Sequence, residues 1–157
     1  MYQVWDQKSM TSIRESLGSD HLEISRRLSE LTDAVEGANF PTIQAVLREV
    51  DIGLRAHMEG EEKYLFTHFE GPHPEEIAQL RREHEGFRRS IDELAIQADL
   101  HTLRKEPIDD LVARLRAHAD KENRSLYRWA DEGLSEPRHD ALFQFLEERR
   151  MSLREEI

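Results

Sequence analysis

The segments HMEGEEKYLF (residues 57–66) and HADKENRSLY (residues 118–127) align without a gap, and each begins with the pattern H-x-x-x-E. A histidine that follows an acidic residue precedes each segment, as DH at residues 20–21 and as EH at residues 83–84. The two halves of the chain therefore repeat one arrangement of polar residues. This internal repeat predicts a site with approximate two-fold symmetry.

Apolar residues recur at intervals of three and four along the chain, which is the period of amphipathic helices, and no stretch alternates as a half-buried strand would. Proline and glycine divide the pattern into four helical segments over about residues 13–133. Short connections make neighbouring helices antiparallel. The sequence thus predicts one all-α domain over residues 1–157, an up-down-up-down four-helix bundle.

A short additional C-terminal helix is predicted over about residues 137–155, where it would cap the bundle or mediate formation of a homodimer. The other helix ends follow from capping residues. Gly37 should end the first helix, Asn39 should cap the second, and residues 71–72 (Gly-Pro) should stop it. Pro74 should open the third, and a break is expected around residues 105–107.

The composition narrows the class of protein. Thirty-three acidic against 22 basic residues give a formal charge of -11, which argues against nucleic acid or an anionic membrane as a partner and favours small molecules or cations. The absence of cysteine excludes disulfides, thiolate metal sites and iron–sulfur clusters. Residues 1–6 lack the pattern of a targeting signal, and no apolar run is long enough to span a membrane, so a cytoplasmic location is expected.

Six polar side chains fall on the apolar stripes that should face the core: His21, His57, Glu61, His84, His118 and Glu122. In each H-x-x-x-E pattern the histidine and the glutamate lie about one helical turn apart and point into the same space. At about 1.5 Å per residue, His21 lies roughly 24 Å before the end of the first helix, and His57 roughly 24 Å after the start of the second. Antiparallel helices therefore bring these two histidines to the same level.

Converging imidazoles and carboxylates are costly in an apolar bundle unless something compensates their charge. Two divalent metal ions would do so, and a carboxylate can bridge two ions. The nitrogen and oxygen donors, without sulfur, favour a pair of iron ions, with manganese and zinc as alternatives. A polar structural network that binds no metal is the remaining alternative.

Other polar residues are assigned structural or solvated roles. His73, His101 and His139 fall near loops or helix ends, whereas His68 is expected toward one end of the bundle on the inner face. Two tyrosines that follow the H-x-x-x-E pairs are interpreted mainly as packing residues, Tyr64 and Tyr127. Charged runs such as residues 147–150 are interpreted as solvated helix faces.

The order of these motifs over about residues 13–133 resembles the hemerythrin-like HHE cation-binding family. The resemblance implies a di-iron centre with an oxo or hydroxo bridge. It also implies that one histidine pair from the first half binds one iron and that the pair from the second half binds the other, with both glutamates bridging. The implied residues are His21 and His57 for one iron, His84 and His118 for the other, and Glu61 and Glu122 as bridges.

The chain departs from the oxygen-carrying hemerythrins at two points. Those proteins have two histidines four residues apart in the third helix, whereas Leu80 and Arg88 stand four residues from His84 here. They also use H-x-x-x-x-D in the fourth helix, where this chain has Asn123, so that Glu122 must serve instead. The expected centre is more symmetric, with one open position on each metal, and Glu62, Glu85 and Arg88 could alter it.

These features favour a protein that binds or reacts with O₂, peroxide or NO. They are also compatible with a peroxide- or O₂-dependent enzyme activity. The alternative is an iron or oxygen sensor that signals through a protein partner without catalytic turnover.

Overall fold

The computed structural model describes residues 12–156, and within that range the backbone is helical with no strand. The all-α class is therefore confirmed. The helices are α1 (Ile13–Glu36), α2 (Phe40–Glu61), α3 (Pro74–Asp99), α4 (Lys105–Arg124), α5 (Leu126–Gly133) and α6 (Glu136–Glu155). After α2 the chain continues through a π-helical segment, Glu62–Phe66, and one α-helical turn, Thr67–Phe69. The N-terminal residues in which no targeting signal was expected lie outside the described residues.

Capping side chains explain where the first two helices begin. Ser12 Oγ accepts a hydrogen bond from the backbone N–H of Glu15 at 3.0 Å, and Asn39 Oδ1 accepts one from Thr42 at 3.3 Å. Gly37 follows the last residue of α1, as the sequence predicted. None of the helices between residues 12 and 156 has both the length and the apolar character that a membrane crossing requires.

The fourth helical segment differs from its prediction at both ends. Helix α4 begins at Lys105, two residues before Pro107. Proline lacks a backbone N–H, but the first turn of a helix does not use that N–H in a hydrogen bond, so Pro107 fits there. The helix also stops before Ser125 instead of continuing to Gly133. The Ser125 hydroxyl donates to the carbonyl of Lys121 at 2.7 Å, and such side-chain bonds to the backbone compete with regular helix geometry.

The π-helical segment after α2 changes which side chains face the core. A π turn holds more residues than an α turn, so the residues that follow are rotated about the helix axis. Phe66 and Phe69 are buried, whereas His68 is exposed. The expectation that His68 lies on the inner face was therefore wrong.

The four long helices surround one core. Each of α1 to α4 contacts the next in chain order, and α4 also contacts α1, which closes a ring of helices. The buried apolar side chains form two large clusters, one toward each end of the four helices. One cluster includes Leu28, Leu54 and Leu94, and the other includes Leu17, Leu65 and Leu80. The predicted site residues lie between the two clusters along the helices.

Helix α6 packs on its own chain. It spans Glu136–Glu155, which agrees with the predicted bounds of about 137–155, and with 20 residues it is as long as α4. Leu142 and Leu146 join the core cluster that contains Leu65, and Leu153 packs against Ile52 and Ala56 of α2. The helix therefore covers one side of α2 and buries three leucines against the bundle.

Candidate metal centre

The six predicted metal-site residues converge between the two apolar clusters. They form two groups of four, and within each group one candidate ligand atom per residue lies within 4.8 Å of the others. The first group is His21, His57, Glu61 and Glu122, and the second is Glu61, His84, His118 and Glu122. Both glutamates belong to both groups, so the structure brings all six residues into one continuous cluster.

Each glutamate faces one histidine from each half of the repeat. Glu61 Oε1 lies 3.4 Å from His57 Nε2 and 3.3 Å from His84 Nε2. Glu122 Oε1 lies 3.1 Å from His118 Nε2 and 3.2 Å from the Nε2 of His21. The shared carboxylates thus connect the two halves, and their contacts have the approximate two-fold symmetry that the internal repeat predicted.

Among residues 12–156, the side chains of the cluster are buried except for that of His21, which is partly exposed. Glu61, Glu122 and His84 are fully buried, and His118 is 4% exposed. The side chain of His21 is 15% exposed, the largest value among the six. It lines a cleft of about 1140 Å³ between α1 and α4.

Carboxylates hold three of the four histidine rings from behind, through Nδ1. The pairs are His57 with Asp20 (3.2 Å), His84 with Glu62 (2.7 Å) and His118 with Glu83 (2.7 Å). A ring that donates its Nδ1 proton to a carboxylate presents the lone pair of Nε2 to the interior. Such pairs orient metal-binding histidines in many proteins and make them stronger donors.

Each of these outer carboxylates is itself bound by a cation. The pairs are Asp20 with Arg150 (2.7 Å), Glu62 with Arg88 (2.7 Å), and Glu83 with Lys121. The prediction of a purely solvated face for residues 147–150 was therefore wrong for Arg150. Glu62 and Arg88, which the sequence marked as residues that could alter the centre, lie behind His84 and outside the cluster of candidate ligands.

The site holds Glu61 and Glu83 ionised. Burial raises the pKa of Glu61, but the neighbouring His57 and His84 outweigh it and hold that pKa well below its usual range. Burial lowers the pKa of His118, whereas Glu122 and Glu83 raise it to about 10. The hydrogen bond from His118, opposed by burial and assisted by Lys121, lowers the pKa of Glu83 to about 2. Without metal, protons on the histidine rings thus balance these carboxylates, and a bound cation would take the place of those protons.

Tyr127 is a site residue that the sequence interpretation assigned mainly to packing. It is fully buried, and its hydroxyl donates to Glu61 Oε2 at 2.6 Å. Burial raises the pKa of Tyr127, as do Glu122 and Glu61, so the phenol keeps its proton beside these carboxylates. The repeat carried one signal for this role: Tyr127 aligns with Phe66, so the two halves differ at this position by one hydroxyl group. The other tyrosine, Tyr64, packs against Phe145 with ring centroids 5.6 Å apart, in line with its predicted packing role.

The remaining histidines lie against aromatic rings outside the cluster. His73 stacks on Trp129 with ring centroids 3.6 Å apart, and His101 stacks on Phe40 at 4.0 Å. His68 meets Phe69 edge to face, and His139 meets Phe143 in the same way. Among residues 12–156, no candidate metal group includes any of these four histidines, which supports their predicted structural or solvated roles.

The donor set fits a pair of metal ions. Several buried nitrogen and oxygen atoms have no hydrogen-bond partner among the described residues, including Glu61 Oε1, His84 Nε2 and Glu122 Oε2. An unpaired buried polar group costs about 1–3 kcal/mol, so a cluster of them is stable when a ligand engages them. Imidazole and carboxylate donors are suited to iron, manganese and zinc. The residues present therefore fit metal binding.

Fold and site together define an all-helical protein with a buried cluster of histidine and glutamate ligands. The family model for the hemerythrin HHE cation-binding domain matches residues 12–130, which is more than half of the chain. The chain belongs to this family, and the resemblance stated from its motifs is confirmed. Comparisons with curated proteins and with solved structures gave no match. Helix α6 lies beyond the matched residues.

Proposed function

We propose that this protein is a non-haem di-iron protein that binds or reacts with O₂, peroxide or NO. The observation that carries the proposal is the division of the buried cluster into two groups of four residues that share both glutamates. One iron would be held by the histidine pair of each half: His21 with His57, and His84 with His118. Glu61 and Glu122 would serve both ions.

The proposed scaffold is an up-down-up-down bundle of α1 to α4. Two observations support this arrangement. The non-helical connections are short, since the chain after α2 stays helical as far as Phe69, and the helix contacts close a ring in chain order. An antiparallel arrangement also explains why a histidine of α1 meets one of α2, and why a histidine of α3 meets one of α4.

A bound iron pair would supply redox chemistry and coordination positions for a small ligand. The residues of the chain determine how that chemistry is contained. The two apolar clusters exclude water from both ends of the site, and the carboxylates behind the histidines fix the ring orientations. The cleft beside His21 gives metal ions and small solutes a path to the cluster.

The proposal is tested by elemental analysis of protein purified from iron-supplied cells, combined with absorption spectra before and after addition of peroxide. Two irons per chain and a spectrum that responds to peroxide are expected. The absence of bound metal would overturn the proposal. Stoichiometric manganese or zinc, retained in place of iron during iron supply, would overturn the choice of iron while leaving the dinuclear site in place.

A sensor without catalytic turnover is the second candidate, and the contact between Arg150 and Asp20 favours it. This contact links α6, which lies outside the family region, to a carboxylate that holds His57. In a sensor, metal occupancy would thereby change the packing of α6 against α2. Hydrogen exchange in α6 that slows several-fold with iron, together with no turnover of peroxide, would favour the sensor; unchanged exchange in α6 would oppose it.

The location and the partners of the protein are also part of this proposal. We expect a cytoplasmic protein whose partner is a small diatomic or peroxide ligand, with no role in binding nucleic acid or membranes. Formation of a homodimer also stays a prediction. The buried leucines of α6 pack on the chain itself, so only the outer face of α6 is left for a second copy. Light scattering of the purified protein gives the oligomeric state directly.

A further inference from the structure

We propose that Tyr127 supplies its phenolic oxygen as a fifth protein ligand to the metal held by His21 and His57. This inference rests on the proposed function, since it requires metal in the cluster. It goes further by assigning a ligand from a residue type that the H-x-x-x-E motifs do not contain. It also makes the two metal positions chemically different.

The position of the phenolic oxygen carries the inference. Tyr127 Oη lies close to one atom from each member of the first group of candidate ligands. These distances are 3.1 Å to His21 Nε2, 3.3 Å to His57 Nε2, 2.6 Å to Glu61 Oε2 and 3.2 Å to Glu122 Oε1. Donor atoms bound at about 2.1 Å and at right angles on one metal lie about 3 Å apart. The oxygen is therefore spaced from the other four atoms as a neighbouring ligand would be.

The backbone holds Tyr127 in this position. The break at Ser125 separates α4 from α5, and Tyr127 occupies the first turn of α5. Its ring is fully buried and stacks on His21 with centroids 5.7 Å apart and an interplanar angle of 27°. A tyrosine that served packing alone would not need its hydroxyl among four charged or ring-nitrogen atoms.

Among residues 12–156, no tyrosine takes the equivalent place in the second half of the site. Phe66 aligns with Tyr127 in the internal repeat, and its ring lies 4.9 Å from that of His84. A phenyl ring offers no oxygen, so the metal held by His84 and His118 has one protein ligand fewer. The open position for an external ligand therefore lies on that metal, and the sequence-based expectation of equal open positions on both metals is revised.

Binding of Tyr127 to the metal exchanges a proton for the metal and changes no oxidation state. The O–H bond of Tyr127 breaks, the oxygen forms a bond to the metal, and the proton leaves to solvent through the cleft beside His21. Metal ligation requires this loss of a proton, and the charge of the metal reverses the effect of the nearby carboxylates on the phenol. Tyrosine binds iron in the same way in some haem proteins.

The test uses the full chain loaded with iron(III). Phenolate bound to iron(III) gives a charge-transfer band in the visible spectrum, which imidazole and carboxylate ligands do not produce. We expect this band in the unaltered protein and its loss in Tyr127→Phe, with both irons retained. An unaltered protein that holds two iron(III) ions without the band would overturn the inference, as would a Tyr127→Phe variant that keeps the band.

Tyr64→Phe is the matched control, because Tyr64 follows the other H-x-x-x-E pattern but packs against Phe145. It should keep the full band, and loss of the band in this variant instead would overturn the assignment. If Tyr127→Phe fails to fold, resonance Raman spectra of the unaltered protein grown with ring-deuterated tyrosine decide the question. Enhanced modes that shift with the label support ligation, and modes that do not shift overturn it. Failure to bind any iron would instead contradict the proposed function.

Discussion

Arg150 Nη2 lies 2.7 Å from Asp20 Oδ2, although 130 residues separate the two along the chain. The same carboxylate oxygen lies 3.2 Å from Nδ1 of His57. Burial raises the pKa of Asp20, but His57 and Arg150 outweigh burial and lower it, so the carboxylate stays ionised. Helix α6 thus supplies a guanidinium that positions the carboxylate behind a candidate metal ligand.

Replacing Arg150 by alanine should weaken metal binding about tenfold, since loss of a residue behind a metal ligand typically lowers affinity by about 10- to 100-fold. Competition with a chelator measures the affinity. Arg154→Ala is the matched control, because Arg154 lies one turn further along α6 and pairs with Glu49 at 3.1 Å, away from the site. Equal losses in both variants would show that Arg150 has no specific part in the site.

Glu61→Ala and Glu122→Ala should each lose most of the bound metal, because each removes a carboxylate that both groups of ligands share. Metal content per chain after desalting measures the effect. Glu85→Ala provides the control, since the Glu85 side chain is 62% exposed and pairs with the guanidinium of Arg88. Two metals per chain in either of the first two variants would contradict the shared role of the glutamates.

In protein stripped of metal, stability should be greatest between about pH 4.5 and about pH 6.5. Burial opposes protonation of His118, but Glu122 and Glu83 raise its pKa from 6.5 to about 10, so its contribution is full below 6.5 and declines as pH rises through 10. The pKa of Glu83 is lowered from 4.5 to about 2, chiefly by the hydrogen bond with His118, so its contribution is lost as pH falls toward 2.

Thermal unfolding measured across this pH range checks both declines. Glu83→Gln should reduce the decline on the acid side, because the amide does not titrate, whereas Asp20 and Glu61 maintain the rest of it. Added metal should reduce the decline on the alkaline side, since it replaces the proton that His118 carries. Stability that rises steadily from pH 6.5 to 10 in the stripped protein would contradict the assignment for His118.

Gly60→Leu should destabilise the protein by about 1–3 kcal/mol by overpacking the contact between α2 and α6. A Cβ atom at Gly60 would lie 2.7 Å from Leu146 Cδ2 and 3.1 Å from Leu142 Cδ1. Chemical denaturation gives the free energy of unfolding. Adding Leu146→Ala should recover part of the loss. Gly86→Leu, where the nearest atom to a Cβ is 3.9 Å away, serves as the control and should be tolerated.

The sequence predicted the helices and the six clustered residues because these features depend on short-range order. Apolar residues at intervals of three and four determine which face of a helix is buried, and His57 and Glu61 share that face by their spacing alone. The repeat then predicted that His84 and His118 would meet in the same way. Each of these inferences needs only the helical period and short connections.

Features that depend on local departures from the helix were not predicted. The π-helical segment rotated His68 outward, and the break at Ser125 directed Tyr127 toward the cluster. Neither follows from a regular period. The contact of Arg150 with Asp20 depends on how α6 lies across α1 and α2, and no pattern in the sequence reports a pairing over that distance.

Both halves of the repeat lie in one polypeptide, so a substitution in one half leaves the other half unchanged. In a symmetric dimer of identical half-chains, every replacement would appear twice, and both half-sites would change together. Fusion into a single chain removes that restriction. One half can then carry Asn123 and Tyr127 where the other carries Glu62 and Phe66. A duplicated hairpin thereby becomes free to specialise its two halves separately.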